Sequence, residues 1–172
     1  MAEVVARATQ PALGAIKLAW WCERLEELDQ GEIPAEPRLR AAAAELLPRG
    51  VSGADLAQLE PGWATLLQEK PDAEVAVARG VVLFGLAARL LDRDLPDGLE
   101  IAGRLHAAGS LSRRGLAPDG AFVVTQSPRI PARFRALTGL AALARRDLAR
   151  REEEASPARA WALLRHRLTG RI

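Results

Sequence analysis

The sequence predicts an all-α protein, a helical bundle of about seven or eight helices around a central apolar helix. Three observations predict it. Alanine, leucine and arginine dominate the chain, and all three are good helix formers. β-Branched residues are scarce outside "VVARA", "VAVARGVV" and "FVVT". Prolines and glycines cut the chain into blocks of helical length, several with a capping residue at the start. At 172 residues, 49% hydrophobic and 27% charged, the chain is long enough to be one helical domain, 1–172, with its own core.

The elements follow in order. A short first helix covers Ala2 to Ala8. Thr9 is placed to cap a second, with Pro11 in its first turn, where a missing N–H costs little. That helix runs to about Asp29 and ends in "QGEIPAEP". A third, "RLRAAAAELL", closes at Pro48 and Gly50. Ser52 with Asp55 resembles a capping box and opens a fourth. Pro61 and Gly62 bend or split it before "WATLLQE". Asp72 caps a fifth, "AEVAVARGVVLFGLAARLL", in which only Arg79 and Arg89 interrupt the apolar residues from Val75 to Leu91. A helix apolar nearly all round is buried on most sides, so this one is expected at the centre. A sixth follows Asp97 and ends in "RRGLAP". Residues 115–130 form the longest irregular stretch, with "AFVVT" as a short extended piece. A seventh helix runs from about Ala132 to Arg151, and Ser156–Pro157 opens an eighth that stops near Gly170.

Composition limits the function classes. Twenty-four basic residues face 22 acidic ones, a net charge of +2, which argues against nucleic acid as a partner. A single cysteine, Cys22, rules out an intramolecular disulfide or a thiolate cluster and fits a reducing compartment. The N-terminus has no basic region followed by a long apolar run, so no signal peptide is read there. The longest apolar or small run, "GVVLFGLAA", falls well short of the ~20 residues of a membrane span. The expected location is cytoplasmic, with peripheral membrane contact left open.

The second helix poses the main puzzle, because it carries Trp20 and Trp21 side by side. On a helical wheel Leu18, Trp21, Cys22, Leu25 and Leu28 cover one arc. Leu13, Ile16 and Trp20 extend it on the other side. Lys17 and Arg24, seven residues apart, fall between the two tryptophans. In one reading the tryptophans widen a core-facing stripe and the cations snorkel along a groove. In the other, the helix lines a cavity where Lys17 and Arg24 meet an anion beside aromatic faces. Wheel geometry favours the first.

The segment "ALGAIKLAWWCERLEELDQGEIPAEPRLRAAAAELL" resembles the part of squalene/phytoene synthases that follows their first aspartate-rich motif. The resemblance continues through "ARGVVLFGLAARLL", "AGRLHAAGSLSRR" and the tail "ALARRDLARR…SPARAWALLRHRLTGRI". It covers most of the chain from about Pro11, and the double-tryptophan segment is its most specific part. It implies the all-α isoprenoid synthase fold, shortened. In that family Mg²⁺ bridges two prenyl diphosphates to two opposed aspartate-rich helices, and a dry apolar cavity shelters the carbocation.

This chain departs from that pattern. It begins too late to hold the first aspartate motif, since Glu3 is the one acid before Trp20. Laying the second motif over "GRLHAAGSLSRR" puts His106 and Gly109 at its Gln and Asn positions. Ser112 then replaces the Arg, and Arg113 the metal-binding Asp. Residues 101–118 contain no carboxylate, and a cation at a Mg²⁺ ligand position repels the metal. The acidic cluster Asp92, Asp94, Asp97 and Glu100 is interrupted by Pro96 and reads as a solvated turn with a cap. His106 and His166 have no partner at metal-ligand spacing, and "SLSRRG" has no neighbouring His or Asp to activate a serine. Cys22 reads as a small buried thiol.

Two C-terminal helices are basic. Arg129, Arg133, Arg135, Arg145, Arg146, Arg150 and Arg151 flank the stripe Phe134, Leu137, Ala141, Ala144 and Leu148. Arg159, Arg165, Arg167 and Arg171 accompany Trp161, Leu164 and Leu168. These either rest on anionic lipid or are ordinary amphipathic helices with solvated arginines, and the second reading is preferred.

Three functional readings result. In the first the chain is a degenerate relative of the squalene/phytoene synthases, a binding or assembly module like the family's non-catalytic branch linked to respiratory complex I assembly. The second is a prenyl-diphosphate transferase active only in a longer form or with a partner chain, with Mg²⁺ as its cofactor. The third is an unrelated helical interaction domain. The missing carboxylates favour the first, with no cofactor, no metal site and no catalytic residue. Candidate ligand-binding residues are Lys17, Trp20, Trp21, Arg24, His106 and Arg113. Candidate occupants are an isoprenoid or other apolar ligand, a second copy of the chain, or another protein.

Overall fold

The computed structural model describes residues 1–91, 95–118, 126–150 and 152–172. Among these the chain is all-α, and its one strand-like feature is an isolated antiparallel bridge between Arg129 and Arg171. The chain divides into two units, Met1–Pro71 and Asp72–Ile172.

The first unit holds α1 (Ala2–Ala6), α2 (Pro11–Asp29), α3 (Pro37–Glu45), α4 (Gly53–Ala57) and α5 (Pro61–Ala64). Pro11 starts α2 as expected, but Thr9 does not cap it. Gln10 occupies the capping position in an extended conformation, with no side-chain hydrogen bond. The proline's fixed φ sets the helix start one residue beyond Thr9. Glu36, unforeseen as a cap, starts α3 by accepting from the Leu39 amide at 2.9 Å. The capping box of α4 is present: the Asp55 amide donates to Ser52 Oγ at 2.9 Å, and the Ser52 amide to Asp55 Oδ2 at 3.1 Å. A second anchor reaches α4 from afar. Asp29, the last residue of α2, accepts from the amides of Gly53 and Ala54 at 2.6 and 2.8 Å. The core of this unit is Leu25, Leu28, Leu39 and Ala43, with Trp21 and Leu56 packed against it.

The second unit holds α6 (Ala73–Leu91), α7 (Leu99–Arg114), α8 (Arg135–Ala149) and α9 (Pro157–Thr169). Asp72 caps α6 by accepting from the amides of Glu74 and Val75 at 2.8 and 3.1 Å. The long apolar α6 buries Ala76, Val77, Phe84, Leu86 and Ala88, while Val75, Leu83 and Leu91 stay exposed. Within this unit α7 packs against both α6 and α8. Small residues permit it. A Cβ added to Gly80 of α6 would lie 2.0 Å from the Gly103 carbonyl oxygen of α7, so only glycine suits that crossing. Phe84, Ala88, Ala102, Leu105, Ile130, Phe134 and Ala141 form the core between these helices. Ser156 caps α9 by accepting from the Arg159 amide at 3.4 Å, and Gly170 ends it at φ 72°. The chain then runs back along residues 128–130, where the Ile130 amide donates to the Gly170 carbonyl at 2.7 Å.

The expected extended piece "AFVVT", Asp92, Asp94 and Arg151 lie outside the described residues.

Candidate functional site

In the second unit a groove of about 370 Å³ runs between α7, α8 and α9, and two of the sequence-predicted residues, His106 and Arg113, line it. The spacing on α7 explains the placement. His106, Ser110 and Arg113 stand at i, i+4 and i+7, one face of a helix. Leu140 and Ala144 of α8 form the opposite wall, and Asp147 and Arg159 close one end.

Charge organises this end. Asp147 is a buried carboxylate between two guanidiniums: Arg113 lies 3.4 Å from its Oδ2, and Arg159 pairs with its Oδ1. Arg113 also reaches Glu154 at 3.1 Å and donates to the Glu152 carbonyl at 3.3 Å. Asp147 therefore joins α7 to α9 across α8. At the other end, burial and then the nearby Arg79 hold the His106 imidazole below its ordinary pKa of 6.5, which favours the neutral ring. The His106 ring lies 5.3 Å from that of Phe84. Arg79 is itself buried and donates to the backbone carbonyls of Ala76 and Ala107. Burial and then Arg114 lower its pKa to about 10, so it stays charged at neutral pH.

The other four predicted residues belong to α2 in the first unit. Trp20 and Trp21 meet edge to face, with centroids 5.3 Å apart and an interplanar angle of 83°. They do not share an environment. Trp21 packs against the Leu25–Leu39 core, whereas Trp20 is 42% exposed, with Leu13 and Ile16 exposed beside it. The reading in which both tryptophans widen a core stripe is thus corrected for Trp20. The 100° step between adjacent residues turns it off the buried arc. Arg24 sits 5.9 Å from the centre of the Trp20 ring and pairs with Glu27 at 2.5 Å. Lys17 is exposed. Cys22 is half-buried, and burial, followed by Glu60 and Glu26, raises its thiol to about 11. The thiolate is scarce at neutral pH, which makes Cys22 a poor nucleophile.

Among the described residues no three His, Cys, Asp or Glu side chains gather where a metal ion could be held. Asp97 sits in the turn before α7 and Glu100 pairs with Arg104 at 3.1 Å. The residue missed by sequence reasoning is Asp147. Its signal was present: it is the one acid in "RFRALTGLAALARRDLAR". A single carboxylate amid arginines on an amphipathic helix is placed to pair inward. His166, with no partner at metal-ligand spacing, takes a core role: it is buried, with a partner at each ring nitrogen. Its Nε2 lies 3.0 Å from the Thr138 hydroxyl, and its Nδ1 is 2.9 Å from the Arg171 carbonyl, which can only accept.

No family model matches the chain, and no curated protein or solved structure matches it significantly.

Proposed function

We propose that the chain is a non-catalytic helical binding or assembly module. In this reading it is a shortened relative of the squalene/phytoene synthases that keeps a helical scaffold without their Mg²⁺–diphosphate machinery. The observation that supports it most is the environment of Arg113. The resemblance puts a metal-binding aspartate at this position. The guanidinium that stands there faces Asp147 and Glu154. Asp147 is the buried carboxylate of the groove, and both its oxygens face arginines. A divalent cation beside it would meet two guanidiniums at close range, so the residues present do not fit Mg²⁺.

What these side chains do instead is structural and recognitive. The Arg113–Asp147–Arg159 set holds three helices in register. Arg114, at the groove's rim with the neutral His106 on its wall, offers hydrogen-bonding chemistry to a polar group of a ligand or partner.

Calorimetry with farnesyl diphosphate tests the proposal. The expected result is no Mg²⁺-dependent uptake and no turnover. Tight, Mg²⁺-dependent uptake would overturn it and favour the second reading, a prenyl-diphosphate transferase completed by a longer chain or a partner.

A further inference from the structure

The last helix places its apolar stripe on the outside. Trp161, Leu164 and Leu168 stand at i, i+3 and i+7 of α9 and are 63%, 46% and 68% exposed. The side that faces the protein carries the helix's polar anchors, with His166 fully buried and Arg159 paired to Asp147, beside Leu163. At 100° per residue the three apolar side chains span an arc of about 60°. Arg165 and Arg167 flank that arc on its two sides, and both are exposed. From Pro157 to Thr169 the helix contains Arg159, Arg165 and Arg167 and no acidic residue. Beside the ridge, between α8 and α9, lies a groove of about 440 Å³. Arg145, Arg146, Arg150, Arg165 and Arg171 line it, with Trp161 at its edge, and none of the described lining residues is acidic, although Arg146 reaches out of the groove to pair with Glu152 at 2.7 Å.

We propose that α9 is an interfacial helix that docks this protein on an anionic lipid surface. Two observations fix the occupant. An apolar ridge with an aromatic at one end and arginines on both flanks matches the boundary between acyl chains and headgroups. The arginine-lined groove matches the negative charge of the headgroups. A second copy of the chain would bring the same arginines and repel. A nucleic acid would use the arginines and leave the ridge in water. The proposal does not depend on the function proposed above.

Flotation of the whole protein with vesicles tests it. Vesicles of phosphatidylcholine with about one-third phosphatidylglycerol carry the negative surface the arginines require. Binding to these is expected at low salt, with little to pure phosphatidylcholine and loss at high salt. Leu168→Glu should lower the bound fraction about tenfold or more, and each of Arg165→Gln and Arg167→Gln about fivefold. Circular dichroism verifies that each variant is folded. Leu13→Glu, which changes an exposed apolar residue of α2, should leave binding as it was. Absence of binding to the anionic vesicles overturns the proposal, as does equal binding by Leu168→Glu. Loss of binding in Leu13→Glu alone overturns it in favour of α2. Self-association that Leu168→Glu abolishes, without vesicle binding, overturns it in favour of a second copy. Oligonucleotide binding that the arginine variants lose and Leu168→Glu keeps, again without vesicle binding, overturns it in favour of a nucleic acid.

Discussion

Helices α8 and α9 look alike in sequence and are mounted in opposite ways. Each carries an apolar stripe at helical spacing and several arginines. On α8 the stripe turns inward: Phe134, in the turn that starts it, and Ala141 and Ala144 are buried against the unit's core, and only Leu148 at the far end is exposed. On α9 the stripe turns outward, and polar groups attach the helix. His166 meets Thr138, Arg159 meets Asp147, and Arg135 donates to the carbonyls of Arg167 and Leu168 at 2.9 and 3.1 Å. Amphipathicity shows that a helix has two faces. It does not say which one the protein keeps for itself.

Mutations separate the two mountings. Phe134→Ala should cost the most, about 4 kcal/mol, because it empties a fully enclosed site under α8. Urea titration reads this as a fall in midpoint at constant slope. Asp147→Ala should cost about 3 kcal/mol by leaving the part-buried Arg159 without its carboxylate. Asp147→Asn, which keeps the shape, should recover only part of that loss. Thr138→Val should cost about 1–2 kcal/mol, since it leaves the buried His166 Nε2 without its hydroxyl partner. Leu168→Glu should change stability by less than about 0.5 kcal/mol, as expected for a side chain that touches little of the protein. A loss comparable with that of Phe134→Ala would mean that the ridge is covered and that the contrast between the helices is false.

A pH titration adds the smallest effect. The pKa of His106 in the folded state is depressed below its ordinary 6.5, so below that value the unfolded chain binds more protons than the folded one. The contribution of this group is full above 6.5 and declines as pH falls from there through the depressed value. His106→Gln should flatten that part of the stability profile. An unchanged profile would place the responsible group elsewhere.

The sequence made much of the fold legible because its helix boundaries carry local chemistry. Asp72, Ser52 with Asp55, Ser156 and the glycines after α7 and α9 each act on their own few residues of backbone, so spacing alone finds them. Thr9 was misread because Pro11, two residues on, controls the helix start more strongly than a hydroxyl does. The candidate site was far less legible. His106 and Arg113 share a groove because they share a helix face, which spacing can reveal. Asp147 stands out locally as a lone acid among arginines, but that Arg113 and Arg159 are its partners follows from the packing of α7, α8 and α9, which spacing does not encode. Trp20 and Trp21 are neighbours in sequence with different surroundings, and composition cannot tell which one the core takes. The outward stripe of α9 was read as an ordinary amphipathic face because periodicity is blind to a 180° rotation of the whole helix.

The bond from Asp29 to the start of α4 has a consequence for how the first unit opens. Five residues are too few to sustain a helix in water, since nucleation costs more than so few turns return. The amides of Gly53 and Ala54 are held by a side chain 24 and 25 positions earlier in the chain. Fraying at the end of α2 therefore releases both segments together. In hydrogen exchange these two amides should share the protection of that distant last turn, as members of one cooperative folding unit.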